Sequence, residues 1–353
     1  MFFKSDNSLG APEVMFEAMK QANEGPTTAY GDDPWTQKVT TLFSDLFERE
    51  VAVFMVTTGT AANALSLAAC TPSWGSVICH QEAHVMVDEC GAAEFYSGGA
   101  KLLGVMSDNG KMTPKAVADA LYYSQPGNEH NSQPATLSLT QVTEAGTVYT
   151  LDEISMLCAE AKSRGFKTHM DGARFANGIV SLGCSAADMT WKAGIDVLSF
   201  GATKNGALAA EAVIVFDLEL AEELKYRRMR AGHLLSKSRF VAAQLIAYLQ
   251  DELWIKNARH ANDMSKRLAD GLRKSNKLRH AFDVDANLQF VIMKKHIHKQ
   301  LHDGGAHFYT WPGRGPEGDA AKQEDEIIGR LVCGFTTTQE DVDGFIKLVG
   351  SVE

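Results

Sequence analysis

The sequence predicts an α/β fold: a large domain on a mainly parallel central sheet flanked by helices, then a smaller C-terminal α+β domain. Three observations carry this. At 353 residues the chain is too long for one small core. Between about residues 51 and 217, short apolar runs alternate with helix-like stretches, the pattern of βαβ units and of a sheet covered on both faces. From residue 218 the chain turns long, charged and helical to about 273, and short strand patterns and a last helix come after it. The expected division is 1–249 for the large domain, with the N-terminal segment contributing to its site, and 250–353 for the small one.

Residues 51–56 are apolar and read as a strand, and the Ala/Leu-rich stretch 60–70 reads as the helix after it. A strand at 77–80 precedes His84, and 135–141 is the next strand. Thr150-Leu151-Asp152-Glu153 has capping-box spacing, so a helix starts there and runs to Arg164, with Gly165 as its stop. A strand at 166–170, a helical stretch at 185–193, a strand at 196–200 and another at 212–216 complete the series. In the small domain, 289–293 and 329–333 are strand candidates and 339–349 is the final helix.

With 34 basic and 44 acidic residues the formal net charge is −10, which argues against nucleic acid or an anionic membrane as partner. No apolar run reaches membrane-spanning length and the first residues carry no basic-then-apolar leader, so a cytoplasmic location is expected. The six cysteines show no CxxC spacing and mostly sit in apolar surroundings, as buried reduced thiols do.

Two motifs carry the chemistry. His169-Met170-Asp171-Gly172-Ala173-Arg174 and Ser199-Phe200-Gly201-Ala202-Thr203-Lys204-Asn205-Gly206 each place a charged side chain just beyond a strand pattern, among small residues. In a parallel sheet both charges reach the carboxyl edge, where ligands bind. A lysine and an acid at that edge suit pyridoxal phosphate, the lysine as Schiff-base partner and the acid holding the pyridine nitrogen protonated. Taken singly, Lys204 is also an ordinary loop lysine, and Asp171 a strand-end acid paired with Arg174. Thr57-Thr58-Gly59-Thr60-Ala61-Ala62-Asn63 lies between a strand and a helix; Gly59 allows a tight turn, and the helix amides with the Thr58 and Thr60 hydroxyls could hold a phosphate. His84 could stack on a cofactor ring or move protons. His296, His298 and His302 have helical spacing, but no carboxylate or cysteine completes a metal site, and none is expected. Gly313-Arg314-Gly315-Pro316-Glu317-Gly318 matches GxGxxG in letters only, since Pro316 interrupts it and no strand leads into it.

With these residues in place, the chain resembles the low-specificity L-threonine aldolases, pyridoxal-phosphate enzymes of the aspartate-aminotransferase fold (fold type I). The match runs from Ser5-Asp6-Asn7 through Tyr30-Gly31-Asp32-Asp33-Pro34, the Thr58-Gly59-Thr60 turn, His84 and Glu89, then Asp171-Gly172-Ala173-Arg174, Lys204 and Arg330-Leu331-Val332. The resemblance implies that Lys204 carries the cofactor, Asp171 pairs with its ring nitrogen, His84 stacks on the ring, and Thr58, Gly59 and Thr60 hold the phosphate. It further implies that Ser5, Arg174 and Arg330 face the substrate carboxylate and the cofactor's phenolic oxygen, with Tyr30 among the substrate contacts. It also implies a homotetramer in which a basic loop of one subunit completes a neighbour's phosphate site; Arg228, Arg230 and Lys237 are candidates.

The implied reaction is retro-aldol cleavage of L-threonine, L-allo-threonine and related β-hydroxy-α-amino acids to glycine and an aldehyde. The alternative is another enzyme of the same fold type: a phenylserine aldolase, a β-eliminating lyase or an aminotransferase. One departure stands out. Many members of the family carry a histidine in a Glu-Asn-Thr-His pattern after the strand at 135–141, whereas here Thr140-Gln141-Val142-Thr143-Glu144 has none. Its proton-transfer role falls to His84, a water or His130.

Overall fold

The computed structural model describes residues 1–313, 315 and 321–353; most of the GxGxxG-like loop, including Arg314 and Pro316, lies outside them. The first seven strands, β1 (Ala52–Val56), β2 (Gly75–His80), β3 (Lys101–Val105), β4 (Gln133–Thr140), β5 (Lys167–Gly172), β6 (Val197–Gly201) and β7 (Glu211–Val215), form one sheet in the order β1-β7-β6-β5-β4-β2-β3. Neighbours from β6 through β3 run parallel, while β7 lies antiparallel to both β1 and β6. β2, β6 and β7 are buried along their whole length, which is why their sequences are mainly apolar or small, with no polar–apolar alternation.

Two expectations need correction. β3 is a strand that the residue pattern left unmarked. Residues 185–193 are no helix: Ser185 and Asp188 exchange side-chain-to-backbone hydrogen bonds, and only the 3₁₀ turn Trp191–Ala193 comes after them. Such local bonds give the backbone an alternative to the helical ladder. The capping box is present as expected, with Thr150 Oγ1 accepting from the Glu153 amide and Glu153 Oε2 accepting from the Thr150 amide.

The long helical stretch resolves into helices Ala221–Arg230, Arg239–Leu249 and Leu253–Leu272. The last of these joins two cores. Trp254 and Ala258 pack with Phe43, Phe175 and Phe200 of the large one, whereas Met264, Leu268 and Leu272 pack with Val291, Leu331 and Phe345 of the small one. Among the described residues the small sheet has β8 (Leu278–His280), β9 (Leu288–Lys294), β10 (Tyr309–Thr310) and β11 (Glu326–Val332), in the antiparallel order β10-β11-β9-β8. The N-terminal residues add to this sheet: Phe3 donates its amide to the His307 carbonyl and accepts from the Val332 amide. Its ring is fully buried against Phe345. That docking carries residues 5–7 across to the large domain.

Gly201 ends β6 hard against the chain just beyond β5. A Cβ there would lie 2.7 Å from the Ala173 carbonyl oxygen and 2.8 Å from its Cα. The glycine therefore sets how closely the Asp171 and Lys204 loops approach, in addition to leaving room near the lysine. Gly201→Ala is expected to destabilise the fold by about 1–3 kcal/mol, because backbone cannot yield as a side chain does. A denaturation midpoint equal to the parent's would show that the strands part freely.

No helix among the described residues is long and apolar enough to cross a membrane. Cys70, Cys79, Cys158 and Cys333 are buried, Cys184 is half-buried, and Cys90 is exposed.

Candidate active site

Beyond the carboxyl ends of the parallel strands lies a cavity of about 270 Å³ whose wall includes Thr58, Gly59, Thr60, His84, Asp171 and Lys204. Six of the residues picked out in the sequence thus meet in one place. β5 and β6 pair with Asp171 opposite Ser199, and Lys204 sits in the 3₁₀ turn Thr203–Asn205 directly after β6.

The helix Gly59–Cys70 points its N-terminus at the cavity, and Thr58 caps it by accepting from the Ala61 amide at 3.1 Å. The hydroxyl proton of Thr58 and the first helix amides stay available to an anion. Gly59 is already the first helical residue, so no tight turn calls for a glycine. A Cβ there would meet nothing within 4 Å, which leaves open space over the amides.

Asp171 is buried and fixed on both oxygens, Oδ1 by the Ala173 amide at 3.0 Å and Oδ2 by Asn63 Nδ2 at 2.9 Å. Asn63 Nδ2 also donates to Glu89 Oε1 at 2.9 Å, and His84 Nδ1 lies 2.8 Å from that same oxygen. One buried amide therefore ties the acid beneath the cavity to the acid behind His84. The hydrogen bond to Glu89 raises the His84 pKa above its ordinary value, although burial opposes it; burial raises that of Glu89. Behind the strands His169 is fully buried between Ser138 Oγ and Ser199 Oγ, each at 2.9 Å, and burial lowers its pKa to about 4, so it stays neutral.

Arg174 does not pair with Asp171. Its Nε and Nη2 lie 2.7 and 3.0 Å from Asp6 Oδ2 and Oδ1, a bidentate pair with both side chains almost wholly buried. Although burial by itself would raise it, the Arg174 partner brings the Asp6 pKa down to about 2. Arg330, on β11, reaches the same corner and donates from Nη1 to the Lys4 carbonyl at 3.4 Å; burial, then the like charge of Arg174, lowers its pKa. Ser5 Oγ caps the turn Asp6–Ser8 by accepting from the Asn7 amide. Ser5, Arg174 and Arg330 form a corner beside the cavity rather than its wall, linked to it through Asn7 and Ala173.

Other placements differ from expectation. Tyr30 is 57% exposed and lies outside the cavity wall of its own chain, its amide bonded to the Ser236 carbonyl. His130 sits in an exposed loop, and Glu144 faces the cavity from the segment after β4. Asn63, Glu89, Glu144 and Glu211 all line the cavity, yet residue spacing assigned none of them a role. Asn63 could have been suspected as an amide side chain in an Ala/Leu-rich helix, and Glu211 as an acid opening an apolar strand.

Residues 3–296 match the family model described as beta-eliminating lyase. Over 340 residues the chain is 44% identical to the low specificity L-threonine aldolase of Pseudomonas aeruginosa, covering 96% of this chain and 94% of that protein. The chain belongs to the low-specificity L-threonine aldolase family. The aldolase of a second Pseudomonas strain is 43% identical over 89% of this chain and 90% of its own. Among solved structures, the Leishmania major threonine aldolase superposes with a TM-score of 0.89 at 25% identity, covering 99% of this chain and 98% of its own. The fold of the threonine aldolases, with its mixed large sheet and small C-terminal sheet, is the fold of this chain.

Proposed function

We propose that this chain binds pyridoxal phosphate and cleaves L-threonine, L-allo-threonine and related β-hydroxy-α-amino acids to glycine and an aldehyde. The observation that carries this reading is the meeting of Lys204, Asp171 and the N-terminus of helix Gly59–Cys70 in one cavity of a threonine-aldolase-family chain. The residues fit the cofactor. Open space lies over the Gly59 amide, and two buried atoms at the cavity, Asn63 Oδ1 and Glu89 Oε2, have no hydrogen-bond partner among the described residues. When bound, pyridoxal phosphate supplies an electron sink for the pair released from the broken Cα–Cβ bond.

In this assignment Lys204 holds the cofactor, Asp171 faces its ring nitrogen, and Thr58, Gly59 and Thr60 take its phosphate. Buried Arg174 and half-buried Arg330 supply two positive charges at a corner where Asp6 answers one of them, which suits a substrate carboxylate. Ser5 sits in the same corner. Tyr30 contributes only if a neighbouring subunit presents it. His84, oriented by Glu89, takes the proton of the β-hydroxyl.

A homotetramer in the cytoplasm completes the reading. Exposed Phe95, Tyr226 and Met229 offer apolar area for subunit contact. Arg228 lies with its guanidinium 5.4 Å from the Phe54 ring and its Nε buried without a partner, while Arg230 and Lys237 are exposed. These remain the candidates for a neighbour's phosphate. The division at 249/250 falls just before helix Leu253–Leu272, whose first turns still pack in the large core and whose later turns, from Met264, pack in the small one.

The test is aldehyde release from L-threonine, L-allo-threonine and phenylserine, beside amino transfer from alanine to a 2-oxo acid. Transfer without aldehyde release would replace this reading with an aminotransferase. A second measurement addresses His84. A proton acceptor must be neutral, so kcat/KM is expected to rise with pH through a midpoint above the ordinary 6.5 of histidine. Glu89→Gln removes the charged acceptor, so the midpoint should move down and the variant should keep more of its own maximum at pH 6. His84→Ala should lose about 10²–10⁴-fold. A pH profile unmoved by Glu89→Gln would remove His84 from this role.

A further inference from the structure

Glu211 opens β7, where it pairs in register with Val56 of β1 on one side and Gly201 of β6 on the other. It therefore stands between the strand that leads into the Thr58–Thr60 turn and the strand that leads into the Lys204 turn. Its side chain is 7% exposed and lines the cavity together with Thr58, Thr203 and Lys204. Glu211 Oε2 accepts from the Ala202 amide at 3.0 Å, and the neighbouring Thr203 amide and hydroxyl favour its charged form. The Thr203 hydroxyl oxygen in turn accepts from the Ala210 amide at 3.3 Å, closing a small ring of bonds around the segment 202–211. A buried carboxylate is costly unless hydrogen-bonded or paired. Here the donors come from the turn that carries Lys204.

We infer that Glu211 is a positioning residue for Lys204: its carboxylate pins the Ala202–Thr203 turn and places an acidic group beside the lysine amine. The proposed role of Lys204 as cofactor lysine gives this its functional meaning. Burial raises the Glu211 pKa to about 7, opposed by the hydrogen bonds from Thr203 and by the charge of Lys204. Its charge therefore varies across the neutral range. The other titratable groups around this pair are Tyr248, from helix Arg239–Leu249, whose hydroxyl burial holds protonated, Asp6, from the N-terminal turn, and His84, Glu89, Glu144 and Asp171 in the cavity wall. The Tyr248 hydroxyl is held by Asn205 Nδ2 at 2.7 Å, and Asp6 is committed to Arg174. Glu211 is thus, with His84 elsewhere in the cavity wall, a group whose charge changes near neutral pH, and it is the one bonded to the Lys204 turn.

The test compares full-length parent, Glu211→Gln and Glu211→Ala. Without cofactor, the pH dependence of Lys204 acetylation by acetic anhydride is read by peptide mass spectrometry. With pyridoxal phosphate, affinity is read by equilibrium dialysis and the pH midpoint of the cofactor absorbance by titration. Glu211→Gln keeps an acceptor for the Ala202 amide, so it should retain cofactor affinity within about threefold. By losing the negative charge it should lower both midpoints by about half a pH unit or more. Glu211→Ala should weaken cofactor binding by about tenfold or more, because it leaves buried donors unmet. Midpoints of Glu211→Gln equal to the parent's would overturn the charge role, and parent-like affinity in Glu211→Ala would overturn the positioning role. A parent chain that binds no pyridoxal phosphate would overturn the proposed function instead, while the acetylation result still reports on Glu211 and Lys204.

Discussion

Lys204→Ala is expected to lower kcat for aldol cleavage by about 10⁴-fold or more while leaving the cofactor-free fold as stable as the parent. Lys204 is half-buried in a short 3₁₀ turn at the cavity wall, and among the described residues it forms no salt bridge within 4.0 Å. Removing its amine therefore deletes the proposed attachment point of the cofactor and little packing. Two measurements decide it: absorbance of the pyridoxal-phosphate-loaded protein before and after borohydride, and aldehyde release from L-threonine. The parent should retain the cofactor after borohydride and denaturation, and the variant should release it. A variant within tenfold of parent activity would remove Lys204 from the reaction.

The largest effect on stability is expected from Asp6→Ala, at about 3–5 kcal/mol. Arg174 is left 5% exposed with neither Nε nor Nη2 answered, and a buried charge stripped of its partner costs far more than the intact pair contributes. Asn287 Nδ2 loses an acceptor as well. Because Asp6 comes directly after the segment docked beside β11, the same change should loosen the small domain's hold on the N-terminus. The pair also has a pH signature. The folded-state value of Asp6 lies near 2, below its ordinary 3.8, so its stabilisation is complete above about pH 4 and is lost as pH falls toward 2. Chemical denaturation of parent and variant at pH 7 and pH 3 tests both points. The gap should narrow at the lower pH, and equal midpoints at pH 7 would refute the account.

Much of the site was legible from residues alone because its parts sit at strand ends. The apolar runs before Asp171 and Lys204 mark parallel strands, and parallel strands deliver the residues at their carboxyl ends to a common edge. The Thr58–Gly59–Thr60 turn was legible for the same reason. β3 was not, because Lys101-Leu102-Leu103-Gly104-Val105 is a short edge strand with a charged start and a glycine inside. Residues 185–193 misled because buried Ala186, Ala187 and Met189 mimic a helical face that local side-chain bonds then break. Residue spacing offers Asp171, three residues before Arg174, only as an alternative partner for it, whereas the acid that pairs with it lies 168 residues away.

By itself the sequence determined the fold class, the cofactor chemistry to look for, and the Asp171–Lys204 pair at one sheet edge, since strand periodicity and small-residue turns act over a few neighbouring positions. Only the tertiary structure decided which charges answer one another. Asp6 holds Arg174, Asn63 joins Glu89 to Asp171, and Glu211 grips the Lys204 turn. The first two span elements far apart in the chain, and the third closes the short loop between two neighbouring strands. Burial makes each of them necessary, because a charge or amide taken out of water must find its partner wherever the packed chain brings one.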